Sequence, residues 1–230
     1  MNVILFGATG MIGQGVLREC LQDPRVERVL VVGRTAVDAA AAGHPKLREI
    51  VRPDLTDLSG IEAELADYDA CFFCLGVSSV GMKEDAYRRV TYDLTLSVAR
   101  TLVAADPGLT FVYVSGQGTD SSEAGRSMWA RVKGKTENDL LELVPDAYMF
   151  RPGFVQPMDG VVSKTRLYRI AYAITGPLIP LFRRLAPNAV NDNRQIGRAM
   201  IAVAESGSQT RVLSPREISA RAAVPSSDTP

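Results

Sequence analysis

Short apolar runs recur along the chain and alternate with segments of helical period. The runs are Val3 to Phe6, Val29 to Val32, Arg48 to Val51, Ala70 to Leu75, Thr110 to Val114 and Ala147 to Phe150. Between them Gly15 to Leu21, Ile61 to Ala66, Asp85 to Ala105 and Met128 to Leu143 carry helical spacing. Parallel strands need crossover helices, and those helices bury both faces of the sheet. Strands rich in Val, Ile and Phe that alternate with helices therefore predict an α/β fold, a doubly wound parallel sheet flanked by helices. Past Arg151-Pro152-Gly153 the pattern changes, and Pro157, Pro177, Pro180 and Pro187 interrupt it. That shift predicts a core over 1–151, a small substrate lobe over 152–224 integrated with the core and laid across the carboxyl ends of the strands, and a disordered tail over 225–230.

The first apolar run leads straight into Gly7-Ala8-Thr9-Gly10-Met11-Ile12-Gly13 and then a helix. A strand, a glycine turn and a helix start present backbone N–H groups and the positive end of a helix dipole to a pyrophosphate. Gly7 is expected to make the turn, Gly10 to let the backbone approach the phosphates, and Gly13 to let the helix pack closely. The order makes the sheet Rossmann-type. An acidic residue about 20 positions on would bind a ribose 2′-hydroxyl. Here the second strand ends in Val32-Gly33-Arg34-Thr35, with no carboxylate between Val29 and Val37. The planar fork of Arg34 suits a 2′-phosphate, so NADP(H) is expected over NAD(H). The alternative is a solvated arginine at a strand end.

Composition narrows the picture further. At 230 residues, 46% hydrophobic, the chain suits one globular unit with a sizeable core. Its 26 basic and 26 acidic residues cancel, which predicts no nucleic-acid partner. The first strand begins at residue 2 and leaves no room for a signal peptide, so a cytoplasmic protein is expected. Cys71-x-x-Cys74 has metal or redox spacing, but in a strand positions three apart point to opposite faces, so buried, reduced cysteines are the favoured reading. His44 lies in a loop-like segment, and no metal site is expected. Tyr168 to Phe182 is apolar and flanked by arginines, yet too short and proline-broken to span a membrane. It is expected to line a substrate pocket or a subunit contact, with a membrane-surface segment as the alternative.

With its G-x-x-G-x-x-G spacing, Thr9 before Gly10, Tyr113-Val114-Ser115-Gly116, Lys133 to Glu137 and Phe150-Arg151-Pro152-Gly153, the chain resembles the short-chain dehydrogenase/reductase superfamily. The resemblance lies with its extended and atypical branches, in particular the Tat-interacting-protein-like and NmrA-like group often labelled epimerase/dehydratase. It covers about residues 1–205. It implies that Asp54 and Leu55 border the adenine, that Leu75-Gly76 passes the cofactor ribose, and that Arg151, Pro152 and Gly153 run beside the nicotinamide. Asp54 read by itself is equally a turn cap. The family's reaction centre is a serine after the fifth strand with a tyrosine and lysine four apart on the next helix face. Ser115 and Lys133 match, and Trp129 stands at the tyrosine position. An indole N–H donates a hydrogen bond but does not transfer a proton near pH 7.

Three readings follow. Lys133 itself serves as acid/base, as in the isoflavone-reductase-like branch; or Tyr87 or Tyr92 enters the site; or the chain binds cofactor without turnover, as NmrA-like sensors do. The reading these residues favour is an NADP(H)-dependent reductase of a small apolar carbonyl or activated alkene. In it Ser115 orients the substrate oxygen, Lys133 holds the ribose and Trp129 shapes the wall. The alternatives are a non-catalytic sensor or partner-binding protein, and a sugar-nucleotide epimerase/dehydratase. A homodimer through the two long helices is the oligomer the resemblance implies.

Overall fold

The computed structural model describes residues 1–38, 41–158 and 190–223. Nine strands are present among them: β1 Asn2–Phe6, β2 Arg28–Gly33, β3 Leu47–Val51, β4 Ala70–Phe73, β5 Thr110–Val114, β6 Ala147–Phe150, β7 Phe154–Gln156, β8 Val190–Asp192 and β9 Val212–Leu213. The helices are α1 Met11–Gln22, α2 Glu84–Arg88, α3 Leu94–Ala105, α4 Met128–Leu143, α5 Asn193–Ser206 and α6 Pro215–Ala222. Seven strands form one sheet in the order β3-β2-β1-β4-β5-β6-β9, and every pairing is parallel. Strand order reverses between β1 and β4. In an open parallel sheet the crevice for a ligand opens at that switch point, beyond the carboxyl ends of the strands.

Alternate residues of each strand feed opposite cores, as the period of two requires. Val3, Leu5, Val29, Val31, Phe72 and Val112 pack with α1 and with Ile196, Met200 and Val203 of α5. On the other face Ile4, Phe6, Leu30, Phe73, Phe111 and Tyr113 pack with α3 and with Leu140 of α4. The Phe73 ring lies 5.6 Å from Phe6 and 5.8 Å from Phe111, centroid to centroid. Cys71 joins the second core and Cys74 packs against the first, so the two thiols do face opposite sides of the sheet. Burial pushes the thiols of Cys20, Cys71 and Cys74 up, away from the reactive thiolate form.

Several boundaries differ from the sequence expectation, each for a local reason. The helix expected over Ile61 to Ala66 is a single 3₁₀ turn, Glu62–Glu64, in a run too short to nucleate an α-helix. Asp85 to Ala105 is interrupted by a π turn at Arg89–Asp93, which joins α2 to α3. The run Ala70 to Leu75 pairs only as far as Phe73. At the carboxyl end, the described part of the stretch beyond residue 151 joins the core: β9 pairs with β6 at the sheet edge, and α5 packs along α1. Both late helices start at full capping boxes, Asp192 with Gln195 and Ser214 with Glu217, the second with Pro215 in the first turn. Tyr168 to Phe182 and the tail 225–230 lie outside the described residues.

Gly13 sets how close α1 comes to the first strand. A Cβ built there would lie 2.0 Å from the Gly7 carbonyl oxygen, a backbone atom that cannot step aside. Gly13→Ala is therefore expected to destabilise the fold by about 3 kcal/mol, at the upper end for overpacking. Urea titration of both proteins reads this as a lower midpoint at unchanged slope.

Candidate functional site

The turn after β1 is built around Gly7, whose φ of +85° is disfavoured for any residue with a Cβ. A side chain there would also meet the backbone of Cys74 and Leu75 at 2.7 Å. The Gly10 N–H donates to the Gly7 carbonyl at 2.9 Å, and the Gln14 amide donates to the Thr9 carbonyl at 3.1 Å, which braces the turn. Gly10 is the N-cap of α1 and supplies no side-chain cap, and the first turn contains no acidic residue. The first N–H groups of α1 thus have neither a cap nor a carboxylate of the protein's own, which suits an incoming anion.

A cavity of about 370 Å³ opens here, lined by Gly7, Ala8, Thr9, Val31, Gly33, Arg34, Thr35 and Leu75. Arg34 is exposed at its mouth and makes no ion pair with the described residues. Met11 and Ile12 are half-buried against the first core, so it is their backbone that the turn presents. A larger hollow of about 610 Å³ lies beyond Thr9, between α1 and Val37, Ala41 and His44.

Two residues expected beside the adenine have work within the protein. Asp54 Oδ1 accepts from the Thr56 N–H at 2.8 Å and from the Thr56 hydroxyl at 2.7 Å, so its carboxylate caps that turn and is held below its usual range. Leu55 is buried in the second core. Gly76 has open space where a Cβ would be, so nothing in the protein's own packing demands glycine there.

At the ends of β5 and β6 the sequence candidates converge. The Ser115 hydroxyl donates to the Glu137 carboxylate and lies 3.1 Å from the Phe150 carbonyl oxygen. Glu137 is 1% exposed and carries the Arg151 guanidinium, whose Nε is 3.1 Å from both carboxylate oxygens while a terminal nitrogen also bonds Oε2. That same terminal nitrogen also donates to Ser121 Oγ at 2.5 Å. Lys133, one turn before Glu137, donates its ammonium to the Ser115 carbonyl and lies 5.9 Å over the Tyr113 ring. Burial pulls the Lys133 ammonium down to about 8, and the nearby Glu137 carboxylate acts in the opposite direction.

Trp129, a turn before Lys133 on α4, is half-buried, and its ring sits 3.4 Å from where a Cβ on Gly118 would be. It thus covers the loop that follows Ser115. The Arg151-Pro152-Gly153 turn is tied on three sides. Pro152 accepts from the Gln117 N–H at 2.9 Å, Arg151 donates its N–H to Leu213 at 2.9 Å, and Gly153 donates to Asn191 Oδ1 at 3.3 Å.

The two tyrosines offered as substitutes for the missing one are engaged elsewhere. Tyr87 is 2% exposed, sealed in α2. The Tyr92 hydroxyl donates to Asp139, its ring is stacked under Arg88 at 4.4 Å, and that carboxylate raises its pKa. Neither offers a proton to the cleft, which corrects that expectation. Sequence reasoning also missed Asn191 and Asn193. Asn193 is buried, donates to the Met11 carbonyl at 3.3 Å and accepts from the Met158 N–H at 3.1 Å, linking the start of α1 to the chain beyond β7. Their signal was a Val-Asn-Asp-Asn run directly before an apolar helical period.

A parallel sheet with a glycine turn at its switch point, and a lysine helix beside it, defines a dinucleotide-binding protein of the short-chain dehydrogenase/reductase kind. Residues 3–126 match the family described as NAD dependent epimerase/dehydratase, and the chain belongs to that family. The protein fmp52, mitochondrial, of Aspergillus fumigatus is 32% identical over 159 residues, 67% of this chain and 66% of that protein. The protein HTATIP2 of Rattus norvegicus is 28% identical over 153 residues, 66% of this chain and 62% of that protein. The matched stretch therefore spans about two thirds of the length of these relatives. Among solved structures, the Bordetella bronchiseptica enzyme WbmF in complex with NAD+ superposes with a TM-score of 0.66 at 18% identity, over 96% of this chain and 77% of that one. That likeness establishes the fold. The family binds NAD(P) nucleotides, and among the described residues no helix is long and apolar enough to cross a membrane.

Proposed function

We propose that the chain is an NADP(H)-dependent reductase of a small, apolar carbonyl or activated alkene, with Lys133 as its proton-bearing group. The observation that carries this reading is the placement of Lys133. It is an ammonium lowered to about 8, hydrogen-bonded to the Ser115 backbone just past the carboxyl end of β5, the strand next to β4 of the switch point. Gly7, Thr9 and Gly10, with the first N–H groups of α1 at Met11, Ile12 and Gly13, would hold the pyrophosphate, and Arg34 the 2′-phosphate. Leu75 would border the ribose, and Arg151, Pro152 and Gly153 would flank the nicotinamide. When bound, the dinucleotide supplies the hydride.

Around that point the protein supplies an apolar rim. Val77, Val80 and Phe154 are 41%, 71% and 39% exposed; the valines lie in the loop that follows β4, and Phe154 opens β7 after the turn that follows β6. With the Trp129 ring they favour a substrate of low polarity. The reading includes a small-molecule substrate and, as the resemblance implies, a homodimer. Three free thiols suit a reducing compartment, and the mitochondrial names of the Fmp52 relatives widen the cytoplasmic expectation to include that organelle.

The second reading, a dinucleotide sensor without turnover, draws on two facts. Trp129 occupies the tyrosine position, and the Ser115 hydroxyl proton is already given to Glu137. NADPH oxidation over a panel of ketones, aldehydes and enones separates the readings, because turnover on any of them removes the sensor and the responding class names the chemistry. Cofactor choice is tested alongside. NADP(H) is expected to bind at least about tenfold tighter than NAD(H), roughly 1.4 kcal/mol. Arg34→Ala is expected to erase that difference in calorimetric titrations. Equal affinities in the unmodified protein would remove Arg34 from the argument.

A further inference from the structure

Glu137 is the most deeply buried carboxylate near the cleft, and the chemistry described so far does not use it. It is 1% exposed, and isolated charges do not persist at that depth without partners. Its partners are specific. One is the hydroxyl of Ser115, the residue directly after β5, and the other is the guanidinium of Arg151, the residue directly after β6. A single carboxylate therefore ties together two turns that come from neighbouring strands. The Ser115 residue it holds by the side chain is the residue whose carbonyl receives the Lys133 ammonium. Four residues separate Lys133 from Glu137 on α4, so the two side chains share a helix face.

We propose that Glu137 is a positioning residue: by gripping Ser115 and Arg151 together, its carboxylate locks the turns after β5 and β6 and holds the Lys133 ammonium at the cleft. The proposal rests on the dinucleotide reading for its purpose and on the network alone for its geometry. The surroundings of Lys133 single out Glu137 as the anion responsible. From β5 it meets Tyr113, whose hydroxyl burial keeps neutral and against which Tyr87 of α2 also lies. From the end of β6 comes Arg151, a cation, which is bound to Glu137. On α2 the carboxylate of Glu84 is paired with Arg131 at 2.8 Å. On α4 the carboxylate of Asp139 is paired with Lys135 at 3.1 Å and with Tyr92. Without Glu137 the ammonium would face burial and a neighbouring guanidinium with no compensating negative charge, and it would release its proton more readily.

The experiment is a pH titration of the full chain carrying ¹³Cε-labelled lysine, which has only five lysines to assign, together with NADPH affinity measured across the same pH range. Glu137→Gln keeps the shape of the side chain and removes its charge. The expected result is a Lys133 midpoint lowered by about one pH unit, a tenfold change in proton affinity. The alkaline fall in NADPH affinity is expected to move down with it. The double variant Glu137→Gln with Arg151→Met also removes the guanidinium that would otherwise lose its carboxylate, so it keeps the test available if the single variant does not fold. It is expected to shift the midpoint in the same direction. A Lys133 midpoint unchanged in either variant overturns the proposal. So does an NADPH affinity that falls equally at every pH, which is the mark of a purely structural carboxylate. Failure of the unmodified protein to bind NADPH would sink the dinucleotide reading instead, and the lysine titration would still decide the role of Glu137.

Discussion

Trp129→Tyr is expected to raise NADPH-dependent reduction of simple ketones or aldehydes by about 100-fold or more, the lower bound for a well-placed general acid. Residue 129 and Lys133 are four apart on α4, on the same helix face, and the indole already reaches the loop after Ser115. A phenol in that position would sit within the field of the Lys133 ammonium, which favours the phenolate and so lowers the energy of giving up the proton. The indole N–H offers nothing equivalent, because it does not ionise in the working range. Trp129→Phe is the control: it removes the indole without adding a proton donor, and it is expected to leave both the basal rate and NADPH binding nearly unchanged. Steady-state NADPH consumption by the three proteins is the measurement. A folded, cofactor-binding Trp129→Tyr protein with no gain on any carbonyl would mean that residue 129 does not face the reacting oxygen.

How much of this site could be read from the chain depends on how local each signal is. The glycine turn was legible because its reasons lie within a few residues: a positive φ at Gly7, and a helix packed so closely at Gly13 that a Cβ there would fall 2.0 Å from the Gly7 carbonyl oxygen. Strands β5 and β6 and helix α4 were legible to the residue, since their apolar periods are unbroken. The two-residue strand β9 was not, because a pair such as Val212-Leu213 has no period at all and becomes a strand only by lying beside β6. The π turn at Arg89–Asp93 adds one residue to a turn and leaves helical spacing on both sides, so a single helix was the natural reading. Leu55 shows the opposite case. Its position matched a family pattern, whereas its burial in the core is set by partners distant in sequence, Ile4 and Leu30 among them. The roles of Ser115 and Glu137 divide in the same way. Their presence on the right elements was visible, whereas the donation of the Ser115 proton to Glu137 depends on Arg151 and on the meeting of two strand ends.

Lys133 ties the electrostatics to the chemistry, and its two pH dependences run in opposite directions. If the protonated ammonium is the acid, the rate is constant well below pH 8 and falls as pH rises through about 8, where burial has placed the group. Stability does the reverse. In the unfolded chain a lysine titrates near 10.4, so between about 8 and 10.4 the unfolded state binds more protons than the folded one, and stability rises with pH across that window. Below about 8 both states are charged, and the folded protein bears the full desolvation of a buried cation. Lys133→Met is accordingly expected to reduce NADPH oxidation by about 10²–10⁴-fold while leaving the protein more stable than the parent at pH 7. It should also abolish the Lys133 contribution to the rise in stability between about 8 and 10.4. Urea titrations at pH 7 and pH 10, paired with initial rates from pH 6 to 10, test both halves on the same samples. A variant that is less stable at pH 7 would show that the hydrogen bond to Ser115 outweighs desolvation. A rate that does not fall across pH 8 in the parent would place the proton on another group or on water.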